Sequence, residues 1–497
     1  MKLKIFSFFL FICSFCFAQV DIEKGVFRGL ENCYNFRWSQ ANNEFQKIID
    51  KYPDDPRGYH YKSTIYLWYY LSSKNANDYK NFEKYSDLAI EKGKNSLDKN
   101  PNDDIILYTI GTTYSCRAIV FAKAENYIDA AWASKKSEAY LSDCLKINTK
   151  RADAYLGLGL YNFAIGQIPS GFKWALSLAG IRGNKNLGIQ YIKKAANEGY
   201  LSKIEASYYL SQIYSEVINN YEAAASCLKQ MIKKYPDNLL FNYSMAIVEI
   251  KMKNPLQAER IISKIIKTED ANFKELIYFS NFLMGDIYYK LNNFEEAKVY
   301  YHTFLNMNNQ KDYKGIASFR LGVCYEITGD RSSAVNYFSH SAKGNMDLDD
   351  DIFAKRMGEI YAKRTMAQSE IDVLKASNFI EQGKFREAIN QLNLLYTSVK
   401  TDRLRAEINY YLSEASYNIG NYEDASRFAN LSIGYTGSDA SWIRPFSGYI
   451  LAKSYNLIGK KEEALKIIDQ TEDISDFDYQ NKLKNLITTL KAEINQE

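Results

Sequence analysis

Along the second half of this chain a small residue stands twelve positions before an alanine: Gly285 before Ala297, Gly322 before Ala334, Ala376 before Ala388, Ser413 before Ala425 and Ala452 before Ala464. Two helices approach closely only where neither carries a bulky side chain at the crossing, so each pair predicts the contact point of an antiparallel helical hairpin. Leu321, Leu412 and Leu451 precede the small residue by one position. Tyr288, Tyr325, Phe379 and Tyr455 follow it by three, on the same helical face. A repeated turn and helix start separates the two helices, as in Asn293-Phe294-Glu295-Glu296-Ala297, Asn421-Tyr422-Glu423-Asp424-Ala425 and Asn220-Tyr221-Glu222-Ala223-Ala224. Looser copies begin at Gly329, Gly383 and Gly459. The Asn or Gly is expected to close one helix in the left-handed conformation, and the acids favour the start of the next.

Successive alanines lie 37 (297 to 334), 54 (334 to 388), 37 (388 to 425) and 39 (425 to 464) residues apart. Tetratricopeptide repeats have a period of about 34, and the 54-residue step predicts an extra or lengthened helix. Leu321-Gly322, Tyr325, Ala334 and Phe338 in one repeat, and Leu451-Ala452, Tyr455 and Ala464 in another, resemble the tetratricopeptide-repeat family. The resemblance implies an all-α fold, an α-α superhelix (solenoid) of antiparallel helical hairpins, with regular repeats over 259–470. Ser413 and the lack of most repeat-closing prolines depart from the family pattern.

The earlier chain follows the same grammar less regularly. Residues 19–151 predict irregular repeat-like helices, with Ala41, Phe45 and Tyr52-Pro53 ending a first hairpin and Asn100-Pro101 marking a boundary. Tyr235-Pro236-Asp237-Asn238 ends another hairpin in the same way. Residues 152–258 form a distinct unit through Ala154-Tyr155-Leu156-Gly157-Leu158-Gly159-Leu160-Tyr161, Phe172-Lys173-Trp174, Gly183-Asn184 and Leu187-Gly188. It is similar to the central segment of the inclusion-body-clearance type of tetratricopeptide protein. Its insertion, 167–184, carries Ile168, Phe172, Trp174, Leu176, Leu178 and Ile181. Such a loop is expected to plug the inner surface of the superhelix or to dock a partner or a membrane surface through Phe172, Trp174 and Leu176. Residues 471–497 predict a helix with Leu483, Leu486, Ile487 and Leu490 on one face, a cap for the last open repeat.

Lys2 and Lys4, an apolar run from Ile5 to Phe17, and small Cys16 and Ala18 before Gln19 have the order of a secretory signal peptide over 1–18. The expectation is an exported chain, periplasmic or secreted, with association to the outer membrane as a further option. A formal charge of +4, less Lys2 and Lys4, gives no electrostatic footprint for nucleic acid. Cys33, Cys116, Cys144, Cys227 and Cys324 are odd in number and scattered, which argues against a disulfide framework or a zinc site.

Nothing in the pattern predicts catalysis. The three histidines, His60, His302 and His340, are each isolated, and no nucleophile elbow or phosphate-binding loop occurs. Asp349-Asp350-Asp351 lacks the alternation of a calcium loop and reads as an acidic helix start. No cofactor or metal is expected. The first helix of each hairpin lines the concave side in the family, which places Phe282, Phe319, Tyr410 and Tyr449, then Tyr289, Glu326, Tyr417 and Asn456, along a groove. Asp286, Glu414 and Lys453 stand beside them in the same helices, and Trp174 in the insertion completes the candidate partner-binding set. Aromatic rings give large contact area at small entropic cost, so the strip suits a protein or peptide ligand; packing alone is the plainer account. The expected function is a non-catalytic envelope scaffold or adaptor that binds protein in its groove. The alternative is a glycan- or solute-binding receptor on the same scaffold.

Overall fold

The computed structural model describes residues 19–167, 180–268 and 272–496. The expected leader, 1–18, and Phe172, Trp174 and Leu176 of the insertion lie outside the described residues. Among the described residues there are 24 α-helices and no strand, as the all-α expectation requires. They divide into two units. The N-terminal unit holds the chain up to Ser215, Glu222–Ser244 and the residues before Glu275 that follow Thr268; the C-terminal unit holds Glu216–Tyr221, Met245–Thr268 and the chain from Glu275.

In the N-terminal unit, α1 (19–34) precedes α2 (Trp38–Lys51), and the pairs α3 (Pro56–Ser73) with α4 (Ala76–Leu97) and α5 (Asp104–Lys123) with α6 (Tyr127–Ile147) follow. Next come α7 (Ala154–Gln167) with α8 (Lys185–Glu198), then α9 (Lys203–Ile213), most of α10 (Tyr221–Lys234) and the start of α11 (Leu239–Lys251). Helix α5 is long and apolar enough to cross a membrane. Leu107 and Tyr108 are nevertheless buried with Leu141 of α6 and Ala154 of α7, and Ile106, Ile110 and Tyr114 with Ile90 of α4 and Ala133 of α6, so α5 is a core helix. The described end of the insertion packs too: Ile181 is buried with Tyr161 and Ile165 of α7.

The C-terminal unit continues with α12 (Pro255–Ile266), then α13 (Lys274–Lys290) with α14 (Phe294–Met307), and α15 (Lys314–Ile327) with α16 (Arg331–His340). Helix α17 (Asp349–Lys363) is the extra element of the 54-residue step. The pairs α18 (Gln368–Glu381) with α19 (Phe385–Ser398), α20 (Asp402–Asn418) with α21 (Tyr422–Ile433), and α22 (Ile443–Leu457) with α23 (Lys461–Glu472) lead to the final helix α24 (Gln480–Gln496).

The hairpin rule holds at each repeat. Ala297, Ala334, Ala388, Ala425 and Ala464 are all fully buried. A Cβ on Gly322 would stand 2.6 Å from the Phe338 ring and 3.2 Å from the Ala334 carbonyl oxygen. The turns differ from expectation in one respect. The left-handed residues are Asn292 and Gly420, one position before Asn293 and Asn421. Asn293 and Asn421 are helix caps instead: their side-chain oxygens accept from the backbone N–H of Glu296 (3.3 Å) and Asp424 (3.2 Å). A side-chain acceptor satisfies a helix-start donor that the backbone leaves open, and this favours Asn at the cap. Asp330 caps α16 in the same way, through the N–H of Ser333 at 3.0 Å.

The glycines of the central segment mark its tightest crossing. A Cβ on Gly188 would lie 2.5 Å from the Phe163 nitrogen and 2.7 Å from the Gly159 oxygen, so α7 and α8 touch backbone to backbone. No rotamer change relieves such an overlap. Gly188→Ala should therefore force the two helices apart and lower the free energy of unfolding by about 2 to 3 kcal/mol, read by urea titration. A loss under about 0.5 kcal/mol would show that this crossing is loosely packed.

Candidate functional site

The residues expected to line a groove are built from the first helices of the C-terminal hairpins. Phe282 of α13 and Phe319 of α15 are each 7% exposed and belong to the core, with Tyr301, Phe304 and Phe338 around them. They pack the hairpins and are not open to a ligand. Rings close over both from two sides: Phe282 meets Tyr301 and Phe304 of its own hairpin's second helix and Tyr313 ahead of α15, and Phe319 meets Phe338 of its own hairpin and Phe353 and Tyr361 of α17. Asp286 accepts from Tyr301 Oη at 2.6 Å and from Arg320 Nη1 at 2.5 Å. The Glu326 carboxylate is tied up by Arg331 Nη1 at 2.8 Å and by the Met366 N–H at 3.0 Å. Tyr289 stands edge-on to Phe294, with ring centres 5.6 Å apart, and burial pushes its phenol up.

Further along, Tyr410 meets Trp442 edge-on at 4.9 Å. Lys453 Nζ lies 4.2 Å from the centre of the Tyr417 ring and 5.5 Å from that of Tyr449, a cation between two aromatic faces. Asn456 keeps a buried side-chain oxygen with no hydrogen-bond donor. The structure thus splits the predicted strip in two: Phe282, Asp286, Tyr289, Phe319 and Glu326 are closed by packing and ion pairs, and Tyr417, Tyr449 and Lys453, with Tyr410 and Glu414 near them, form a second cluster.

A knot of charge that sequence reasoning did not single out joins hairpins far apart in the chain. Glu381, at the end of α18, lies between Lys253 and Lys290, the latter at 2.7 Å, and Lys253 also reaches Glu414 at 3.5 Å. Burial alone would push the Glu381 carboxyl up, but the two ammonium groups outweigh it and hold it well below the usual carboxylate range. Beside it, Asn378 donates to the Tyr289 carbonyl at 2.9 Å, Gln382 to the Lys290 carbonyl at 2.8 Å, and Asn292 to the Lys375 carbonyl at 3.1 Å. No local spacing announces these contacts, since each partner lies more than 80 residues away.

The final helix completes the site. Leu483, Ile487, Leu490 and Ile494 form one buried stripe against Ala452, Ala464 and Ile468, which covers the last hairpin in the manner expected of a cap. The segment also reaches back to the hairpins before it. Asp478 pairs with Arg356, the Tyr479 ring lies 5.4 Å from Phe353, and Tyr479 Oη donates to Asp350 at 3.3 Å. Thr489 Oγ1 donates to the Val217 carbonyl at 3.3 Å. Toward its other end, the charge of Glu493 acts on Lys453, Tyr417 and Tyr449 together. Burial pushes the Lys453 ammonium down, against the opposing pull of Glu493 and Glu414. The second cluster of predicted groove residues is therefore faced by the chain's own last helix.

Residues 152–342 match the family model described as Iml2/Tetratricopeptide repeat protein 39. The match starts where the distinct central unit was expected and ends just past α16. A TPR repeat-containing protein of Methanocaldococcus jannaschii is 23% identical over 217 residues, which cover 44% of this chain and 36% of that protein. The chain thus spans little more than a third of the length of that curated relative. Among solved structures, a tetratricopeptide repeat protein from Parabacteroides merdae is similar over 58% of this chain and 98% of its own, at 14% identity and a TM-score of 0.26. Yeast Tom70 is similar over 97% and 96%, at 14% identity and a TM-score of 0.25.

Glu381→Gln leaves Lys253 and Lys290 without their shared counter-ion. It should lower the free energy of unfolding by about 3 kcal/mol, measured by chemical denaturation. A change below about 1 kcal/mol would show that the cluster is solvated and does not hold the hairpins together.

Proposed function

We propose that this chain, a tetratricopeptide-repeat protein with an Iml2-like central segment, is a non-catalytic adaptor that receives an amphipathic helix of a partner protein in the groove of its C-terminal unit. One observation carries the reading. The second cluster of predicted groove residues, with Tyr417, Tyr449 and Lys453 all half-buried, is faced by a helix with an apolar stripe and an acid at Glu493. A surface that accommodates one such helix has the chemistry to accept another: an apolar floor fixes the stripe, and the cation between two rings selects an acidic end. In the unbound chain α24 occupies that place, so a partner helix competes with it. A sugar-stacking groove is less well supported, because Phe282, Phe319 and Tyr289 are enclosed by their neighbours.

The adaptor acts outside the cytoplasm on this reading, which rests on the leader pattern at Lys2, Lys4 and Ile5 to Ala18. Phe172, Trp174 and Leu176 supply its contact with a membrane surface. Mass spectrometry of the exported chain should find Gln19 as its first residue; an intact Met1 on exported chain would refute the cut.

The groove is tested in trans. A fluorescent peptide of residues 476–497 should bind the chain ended at Asp473 and should fail to bind the full chain, by anisotropy. A shortened chain that keeps its helical circular dichroism and ignores the peptide overturns the proposal. In the intact chain, Lys453→Glu sets like charges against Glu493 and should speed amide exchange across 480–496 at least tenfold while other hairpins keep their rates. Unchanged exchange there also counts against the groove.

A further inference from the structure

The N-terminal unit encloses a two-lobed cavity unrelated to the groove above. Leu30 of α1, Thr64 and Trp68 of α3, and Glu205 of α9 line both lobes. One lobe leaves about 500 Å³ free of protein atoms, mouth included, and the other about 690 Å³. The first is completed by Tyr34, Trp38 and Tyr208 among others, the second by His60, Tyr108, Cys116 and Tyr209.

Glu205 is held there by construction. Asp153 Oδ1 accepts from the backbone N–H groups of Tyr200 and Leu201 at 2.8 Å, of Ser202 at 2.9 Å, and from the Ser202 hydroxyl at 2.9 Å. That anchor fixes the start of α9 and with it the side chain of Glu205 in the first turn. No hydrogen bond or ion pair engages the Glu205 carboxyl, and loss of solvent raises it to about 7. The charge it carries when ionised is felt by Tyr34 and Cys33 of α1, Tyr61 of α3, Cys116 and Tyr108 of α5, and Tyr209 of α9. None of these is a cation. His60 is held neutral, lowered to about 3 by burial, and its Nδ1 is taken by Thr113 Oγ1 at 2.9 Å. Arg57 pairs with Asp55 at 2.7 Å.

Two residues that line the first lobe also carry unsatisfied polar atoms. Trp38, 7% exposed, has a buried Nε1–H with no acceptor, and Tyr34 a buried hydroxyl with no partner. A half-buried carboxyl without a partner and two idle donors cost free energy in an empty site and gain it when a ligand pairs them. The three ask for a ligand with a positive charge and an oxygen acceptor, and the rings of Trp68, Tyr61 and Tyr209 offer faces that attract a cation.

We infer that this cavity is a binding site for a small alkylammonium compound that carries an oxygen acceptor, its cation against Glu205 and the rings, its oxygen toward Trp38 Nε1 and Tyr34 Oη. Only the ionised carboxylate pairs with the cation, so the apparent affinity rises as the carboxyl ionises. Between pH 6 and pH 8 the ionised fraction of a group of pKa about 7 grows about tenfold.

Titration calorimetry of the full chain with choline chloride tests the site, against 3,3-dimethylbutanol as the uncharged analogue of the same shape. Choline should bind at pH 8, about tenfold more weakly at pH 6, and the alcohol should not bind. Glu205→Gln keeps the side-chain shape and should lose choline binding by at least tenfold along with its pH dependence. Trp68→Leu, which leaves the carboxyl in place, should weaken choline several-fold with the pH dependence intact. Equal binding of the alcohol, unchanged binding by E205Q, a flat pH profile, or no heat with 50 mM choline at pH 8 each overturn the proposal.

Discussion

Close contact between helices at positions with no side chain beyond Cβ is the constraint on which the rest of the structure depends. Ala297, Ala334, Ala388, Ala425 and Ala464 lie fully buried at the hairpin crossings, and Gly159 and Gly188 bring two backbones together in the central segment. A short interaxial distance lets flanking leucines and aromatic rings interdigitate across the pair. It also sets each hairpin's angle to the next, which decides what faces inward.

The second theme is tyrosine. The chain carries 41 of them, and many are used twice: the ring packs and the hydroxyl donates to a carboxylate. Tyr301 reaches Asp286 at 2.6 Å, Tyr288 reaches Glu259 at 2.7 Å, and Tyr235 reaches Glu31 at 2.7 Å. Phenylalanine would bury as much area and leave those acids unpaired. Against that habit Glu205 stands out, since six nearby tyrosine and cysteine groups feel its charge and none donates to it. A fold that so regularly gives its half-buried carboxylates a donor makes the exception informative about function.

Some of the candidate sites were legible and some were not. Lys453, Tyr417 and Tyr449 were reachable because they recur at set distances from the small residue of their hairpins, and the structure gathers them into one cluster. The same rule named Phe282 and Phe319, which pack the core, because position on a helix does not tell how far the neighbouring hairpin closes over it. Glu381 was invisible: its partners Lys253 and Lys290 sit in other hairpins, and surface helices are full of such residues. Glu205 was invisible for the opposite reason, because what marks it is a missing partner.

Helix boundaries, hairpin pairing and caps are determined by residues within one repeat of each other, where 3.6-residue periodicity, small residues at crossings and Asn or Asp at helix starts act locally. The sequence alone therefore settles that this chain is all-α and built of hairpins. Which carboxylates pair, which rings stay open and where the last helix lies depend on small rotations between successive repeats, summed over many of them. Those sums bring residues more than a hundred positions apart into contact, as with Lys253 and Glu381, and only the tertiary structure decides them.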